Sequence, residues 1–421
     1  MHTSTRPYYD AIVVGARCAG AATALLLARA GLHVLNIDRS APGTDTLSTH
    51  AIMRAGVMQL NRWGLGAALE SLEAPPITSS TFYYGAEAVE VSLKPKHGVA
   101  ALYAPRRRDL DALLVRAART AGAHVRHRVS LVGLLRAPDG RVLGARLRAD
   151  DGTVHEVRSA LVVGADGTSS KVARLVQAPL VRTTHHAGCT IYGYFESLGL
   201  QGYHWHFADG ATAGAIPTNG NAACVFVGLT PADFYGHASR NLDQGFEQAL
   251  ARSAPDLWRR VRHARRVEPY RAFGGHGGFI RKSTGPGWAL VGDASYFKDP
   301  GTAHGISDAL RDAEILVRAL LRDPTELRRY QSERDALCQP LLDVTDAIAS
   351  FAWDYTELKA MHRKLSQEMN RETEHMAAWD EAGARPSTVS WHRPLAKRAG
   401  PDSPRNQNVA ALEAAPSSVR T

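Results

Sequence analysis

The 421-residue sequence predicts an α/β protein: a Rossmann-like β-α-β domain interleaved with an antiparallel-sheet domain and followed by C-terminal helices. Three observations predict it. Apolar runs end in glycine–acid turns at three distant places, around residues 15, 165 and 292. The first and last of these turns lead into apolar helical patterns. Between the second and third turns lie aromatic-rich segments with the alternation of antiparallel strands.

The first unit is the most explicit. Tyr9 to Val14 reads as a buried parallel strand, Ala21 to Ala30 as a helix ended by Gly31, and Leu32 to Ile37 as a second strand closed by Asp38. The connecting turn, Gly15-Ala16-Arg17-Cys18-Ala19-Gly20, carries the outer glycines of a dinucleotide fingerprint, and Asp38 lies where an acid receives a ribose hydroxyl. Arg17 replaces the middle glycine, so it must turn away from the phosphates or contact one itself. Arg39 opens a Ser/Thr/Pro/Gly-rich loop that ends at His50, and a helix is expected from Ala51 to Trp63.

A hairpin is expected over Thr81–Tyr84 and Ala88–Leu93. A helix opens at Arg106-Arg107-Arg108 and runs to about Ala121, with Gly122 as its stop. Strands follow at Val125–Leu135, Val142–Arg148 and Val154–Val157. A buried strand from Ala160 meets the second turn, Gly164-Ala165-Asp166-Gly167. Antiparallel strands are expected at Ile191–Phe195, Tyr203–Phe207, Ala211–Ile216 and Ala222–Leu229, then helices at Leu242–Ala251 and Asp256–Ala264. The third turn, Gly292-Asp293, precedes Pro300-Gly301-Thr302-Ala303-His304-Gly305-Ile306 and a helix reaching Leu321. Its first amides would face whatever lies beyond the turn. One helical pattern continues from Tyr330 to about Ala378, and Pro, Ser, Arg and Ala dominate thereafter.

Composition excludes several functions. The formal charge of +9 comes almost wholly from scattered arginine, without a basic tract interleaved with aromatics, so nucleic acid is not the expected partner. Cys18, Cys189, Cys224 and Cys338 form no CxxC pair, which fits a reducing cytoplasm and no metal site. The run Ala21–Ala30 contains Arg29 and is too short for a membrane span. A soluble, cytoplasmic protein of unspecified oligomeric state is expected.

The three turns together resemble the flavoprotein monooxygenase superfamily of the para-hydroxybenzoate hydroxylase type, whose fold is shared with flavin halogenases and geranylgeranyl reductases. The resemblance spans roughly Tyr9 to Leu321. It implies an FAD-binding domain made of residues 1–75, 100–180 and 275–330, and a substrate domain of residues 76–99 and 181–274. A C-terminal helical region, 331–382, and a disordered tail, 383–421, complete the organisation. It implies FAD contacts from Gly15, Ala16, Arg17, Ala19, Gly20, Asp38 and Arg39, and from Arg107, through an Arg-x-x-Leu pattern with Leu110. Asp166 and Gly167 would support FAD and nicotinamide handling, and Gly292 and Asp293 would meet the ribityl chain. Pro300, Gly301, Ala303, His304, Gly305 and Ile306 would form the flavin-facing loop.

The implied activity is FAD-dependent hydroxylation or epoxidation of an aromatic or polyketide-like small molecule, using NAD(P)H and oxygen. No second dinucleotide fingerprint is visible, so NAD(P)H visits transiently or a separate reductase delivers reduced flavin. Halogenation is an alternative: Phe297 and Pro300 match its Phe-x-x-Pro pattern, but Ala303 replaces a serine and no lysine follows Thr81-Phe82. Ene reduction of an isoprenoid is another, since Tyr203, Trp205 and Phe207 match a Tyr-x-Trp-x-Phe pattern, with Ala208 where a proline is usual. A non-catalytic flavin-binding protein is the alternative of a different class. His50 is the candidate catalytic residue, in contact with flavin or substrate, with packing at the following helix as the plainer role. Tyr203, Trp205 and Phe207 share one face of their strand and are the substrate-side candidates.

Overall fold

The computed structural model describes residues 8–325 and 327–381; the expected tail lies outside the described residues. Strand β1 (Tyr8–Val14), helix α1 (Cys18–Arg29) and β2 (Val34–Asp38) form the expected parallel unit. Helices α2 (Arg54–Arg62) and α3 (Gly66–Glu70) follow, then the hairpin β3 (Ser79–Tyr84) and β4 (Glu87–Ser92). Helix α4 (Arg107–Thr120) leads to β5 (His124–His127), β6 (Ser130–Arg136), β7 (Val142–Arg148) and β8 (Val154–Gly164). Then come α5 (Lys171–Leu175), β9 (Leu180–Thr183), β10 (Cys189–Glu196), β11 (Tyr203–Ala208), β12 (Ala211–Thr218) and β13 (Ala222–Leu229). Helices α6 (Pro231–Gly236), α7 (Leu242–Ser253) and α8 (Pro255–Val261) precede β14 (Arg271–Phe273), β15 (Phe279–Arg281), β16 (Thr284–Gly285), β17 (Trp288–Leu290) and β18 (Tyr296–Phe297). Three helices close the described chain: α9 (Gly305–Arg322), α10 (Arg328–Ala349) and α11 (Tyr355–Glu381).

The first sheet runs β16-β17-β8-β1-β2-β5, with β7 also pairing β8 and β6 pairing β7. Its central strands are parallel and in register: Val14 pairs Gly164, and Gly164 pairs Leu290. All three glycine–acid turns therefore leave the sheet at one level. The second sheet runs β14-β10-β13-β12-β11-β3-β4, and a third, β18-β15-β9, was not foreseen from the sequence. One apolar core joins α1, α4 and α9 to the inner face of the second sheet, where Tyr203, Trp205 and Phe207 lie. Another fills the space between that sheet's outer face and α7 and α8, around Phe246, Leu250 and Leu257.

Several expected boundaries moved, for physical reasons. Val125–Leu135 divides into β5 and β6 at Arg128, which takes a left-handed backbone (φ 58). The segments expected separately at Val154–Val157 and from Ala160 are one strand, β8. It pairs antiparallel with β7 up to Arg158 and parallel with β1 from Arg158 onward, so its burial pattern changes midway. The helix expected from Ala51 begins at Arg54, because Ile52 bridges Tyr103 and His50 adopts φ 70. The long C-terminal helix is two, broken where Phe351 turns left-handed (φ 56).

The start of α1 lies so close to the turn before it that a Cβ at Gly20 would collide with the Gly15 carbonyl oxygen, which is backbone and cannot move aside alone. Gly20→Ala is therefore expected to lower stability by about 1–3 kcal/mol, the scale of overpacking. Urea denaturation of the apoprotein measures this, and an unchanged midpoint would refute it.

Candidate active site

A cavity of about 670 Å³ opens between the ends of β1, β8 and β17 and the inner face of the second sheet. Its floor is polar. Gly15, Arg17, Ala19, Asp38 and Arg39 line one end. Ala16 contributes its amide to the Asp38 carboxylate (2.8 Å), whose other oxygen accepts the Ser40 amide (2.8 Å). Each of those oxygens retains a second lone pair for a hydroxyl. Helix α1 has neither a capping side chain nor an acid in its first turn, so its leading amides stay open to an anion. Gly20 does not line the cavity; it lets α1 approach the Gly15 turn. Arg17 swings over the 39–50 loop, donating to the Thr46 hydroxyl at 2.6 Å while still lining the cavity.

Arg107 enters the floor from the first turn of α4 and is held by Asp111 at 3.2 Å. The Cys18 thiol donates to the same carboxylate at 3.1 Å, and burial pushes its titration well up, so it remains a donor. Asp166 accepts the Ser170 hydroxyl (2.5 Å) and the Lys171 amide (2.6 Å), organising the start of α5, while Gly167 beside it faces the cavity.

The third turn supplies the middle of the cavity. Gly292 sits against Ala19 and Ala309 and exposes Asp293 to the interior. The Asp293 carboxyl has no hydrogen-bond partner among the described residues. Burial, then the neighbouring Asp308, raises its titration to about 6. Beyond it Pro300–Thr302 makes a short 3-10 turn and Ala303 takes a left-handed backbone (φ 50), a conformation that costs a non-glycine residue energy. Helix α9 then starts, its first helical hydrogen bond running from the Asp308 amide to His304 O (3.0 Å). The amides of Gly305, Ile306 and Ser307 precede that bond, and Pro300, Gly301, Ala303, Gly305 and Ile306 all line the cavity. The His304 side chain does not: it turns inward between Asp308 and Glu372.

The roof is aromatic. Trp205, Phe207, Phe226, Phe273, Phe297 and Phe351 line it, with Tyr192 at the edge. Trp205 and Phe207 thus face the cavity, whereas Tyr203 is fully buried behind Trp205 at 6.2 Å between rings. His50 lies where roof and floor meet. Its Nδ1 accepts the Arg107 amide at 3.1 Å, so the neutral ring carries its proton on Nε2, which donates to the Tyr194 hydroxyl at 2.5 Å. Burial, then Arg106, lowers its titration to about 3, so it is neutral at physiological pH. Arg106 stacks on Tyr194 at 3.7 Å.

Sequence reasoning missed Phe226, Phe273 and Phe351, and it missed the charged group behind α9: Lys298, Asp308, Arg311, Asp312 and Glu372. One signal for the latter was present. Asp308, Arg311 and Asp312 sit three and four apart on a helix whose remaining residues are mostly apolar, a pattern that also describes a solvated face.

A carboxyl raised in the folded state stabilises the fold below its ordinary value near 4 and loses that contribution as pH rises through about 6. The apoprotein is therefore expected to lose stability between pH 4 and pH 6, and Asp293→Asn to flatten that slope. Thermal melts across this window check it, and identical slopes would refute it. Comparison with known proteins agrees with the geometry. The solved flavin-dependent brominase Bmp2 superposes with TM-score 0.73 at 16% identity, covering 89% of this chain and 100% of that one. PqsL of P. aeruginosa, in complex with 2-aminobenzoylacetate, gives 0.71 at 19% identity, with 86% and 100% covered. Digeranylgeranylglycerophospholipid reductase 1 of Methanopyrus kandleri is 30% identical over 347 residues, 77% of this chain and 85% of its own. The model of the FAD binding domain family matches residues 8–345, and the chain belongs to that family, as an FAD-dependent oxidoreductase.

Proposed function

We propose that the enzyme is a monooxygenase that hydroxylates or epoxidises a neutral, flat aromatic or polyketide-like molecule with NAD(P)H and oxygen. The observation that carries this reading is the division of the cavity into a floor that holds its charged side chains and a roof lined by Trp205, Phe207, Phe226, Phe273, Phe297 and Phe351. The two charged residues that follow Phe297 are already committed: Lys298 to Asp308, and Asp299 to the amides of Gly188 (2.6 Å) and Gly301 (2.8 Å). A carboxylate-bearing substrate would find no partner there, whereas apolar rings recover the area they bury.

The floor residues fit FAD. The α1 amides and Arg17 would hold its pyrophosphate, Asp38 its ribose, Asp293 its ribityl hydroxyls and the Gly305–Ser307 amides its pyrimidine edge. When bound, FAD supplies the redox chemistry, taking electrons from a nicotinamide and passing them to oxygen. The protein orients the substrate and excludes water. His50 fits a positioning role, since both ring nitrogens are occupied and it holds the Arg107 amide that opens α4. Halogenation is less well supported: Tyr83 follows Thr81-Phe82 where a lysine would be needed, and Lys298 is tied to Asp308. Ene reduction is the second reading, favoured by the M. kandleri relative and by Trp205 and Phe207 at the cavity wall.

The purified enzyme should show substrate-stimulated, oxygen-dependent NAD(P)H oxidation with neutral phenolic or polyketide compounds, unaffected by bromide. Turnover of a polyprenyl substrate without oxygen would replace this reading with ene reduction, and bromide incorporation would replace it with halogenation. FAD binding without stimulation by any of these compounds would mark a non-catalytic flavoprotein. Trp205→Ala should reduce kcat/KM about tenfold, roughly the 1.4 kcal/mol of a partly lost aromatic contact, while leaving FAD affinity intact.

A further inference from the structure

Helix α11 lies outside the three turns that build the FAD floor, yet it delivers one side chain to them. Glu372 is 1% exposed, and its carboxylate stands 3.0 Å from His304 Nε2 and 2.6 Å from Arg311 Nη1. His304 Nδ1 lies 3.2 Å from Asp308, which also receives Lys298 and, at 2.7 Å, Arg311. His304 Nδ1 is hydrogen-bonded to Asp308, while Nε2 stands at ion-pair distance from a Glu372 oxygen without an aligned hydrogen bond, and both carboxylates as ions can only accept. A neutral imidazole has one N–H and would turn a lone pair toward one of these two carboxylates. With His304 as a cation, Lys298, His304 and Arg311 balance Asp308, Asp312 and Glu372. The electrostatics agree: Glu372 first, then Asp308, raise the titration of His304 against its burial. His304, Asp308 and Glu372 are also residue types that bind metals, but Lys298 and Arg311 already supply the positive charge those carboxylates require.

We propose that Glu372 is a positioning residue for the flavin site, acting through His304 to fix the Ala303–Gly305 turn and to keep a cation behind the amides that open α9. The consequence follows from the backbone. Ala303 is left-handed, with only a methyl group in the core, and Gly305 meets nothing within 4 Å of where a Cβ would stand, so Gly305 has no side chain to restrain the turn. His304, between them, is the anchor, and Glu372 and Asp308 grip its ring from α11 and α9. A cation at this place also favours the negative charge of reduced flavin, as the helix N-terminus beside it does. This inference rests on FAD binding and is independent of which reaction the enzyme catalyses.

The test is Glu372→Gln in the full-length protein, read by histidine-selective NMR of the apoprotein and by FAD titration. In the parent, His304 should stay doubly protonated above the ordinary histidine value. In Glu372→Gln, where burial and Lys298 act against one remaining carboxylate, it should lose its proton in a lower pH range than in the parent. FAD affinity should fall about tenfold, the equivalent of 1.4 kcal/mol, and become pH-dependent across the same range. Glu372→Asp should restore part of the affinity. Should Glu372→Gln fail to fold alone, the double variant with His304→Gln is compared with His304→Gln: the double should bind FAD no worse than His304→Gln alone. Unchanged His304 protonation, unchanged FAD affinity or a further loss of affinity in the double variant would each overturn the proposal.

Discussion

The register of three parallel strands is the constraint on which the site depends. Val14, Gly164 and Leu290 pair side by side, so turns that lie far apart in the chain emerge from one sheet edge within reach of one extended ligand. Nothing in any single turn requires this. It follows from β8, whose second half pairs with both β1 and β17 after its first half has left β7. A slip of one residue in either pairing would invert the side chains of a strand that is covered on both faces. The cost of such a slip is what keeps the Gly15, Asp166 and Asp293 turns at one edge.

A second constraint acts from the opposite direction. The floor carries buried charge, and isolated charge is expensive away from water. Here the cost is met by pairing: Lys298 and Arg311 are shared among Asp308, Asp312 and Glu372, and Arg107 is paired with Asp111 beside the cavity. Breaking one member leaves its partner buried and uncompensated, which is why these groups behave as a unit. Asp293 is the exception, facing the cavity without a hydrogen-bond partner among the described residues, and its raised titration is the measure of that isolation.

Legibility in the sequence followed the range of the interaction. The β1-α1-β2 unit was legible because strand, glycine turn, helix and acid lie within thirty-odd residues and each leaves a local mark. Trp205 and Phe207 were legible as one face of a strand, but Tyr203 shares their face and still lies behind it, because depth along a strand is set by its neighbours. The break before α11 was illegible: Phe351 adopts a left-handed backbone without the glycine or proline that announces a stop. So was the partner switch in β8, where an alternating pattern and an apolar run look like two strands. Glu372 was beyond reach for a different reason. An acid on a charged helix reads as solvated, and only the tertiary fold reveals that its carboxylate is buried against His304.

The division between a charged floor and an aromatic roof also bears on how the site works. Aromatic side chains exclude water from the space above the Asp293 and Gly305 turns, and electrostatic interactions strengthen as water leaves. The same fixed dipoles and cations would therefore act more strongly on a developing charge with an apolar molecule in the roof than with solvent there. Occupancy of the roof and the electrostatics of the floor would then be coupled through the one cavity they share. An apolar molecule large enough to displace the water would alter the floor's influence simply by being bound.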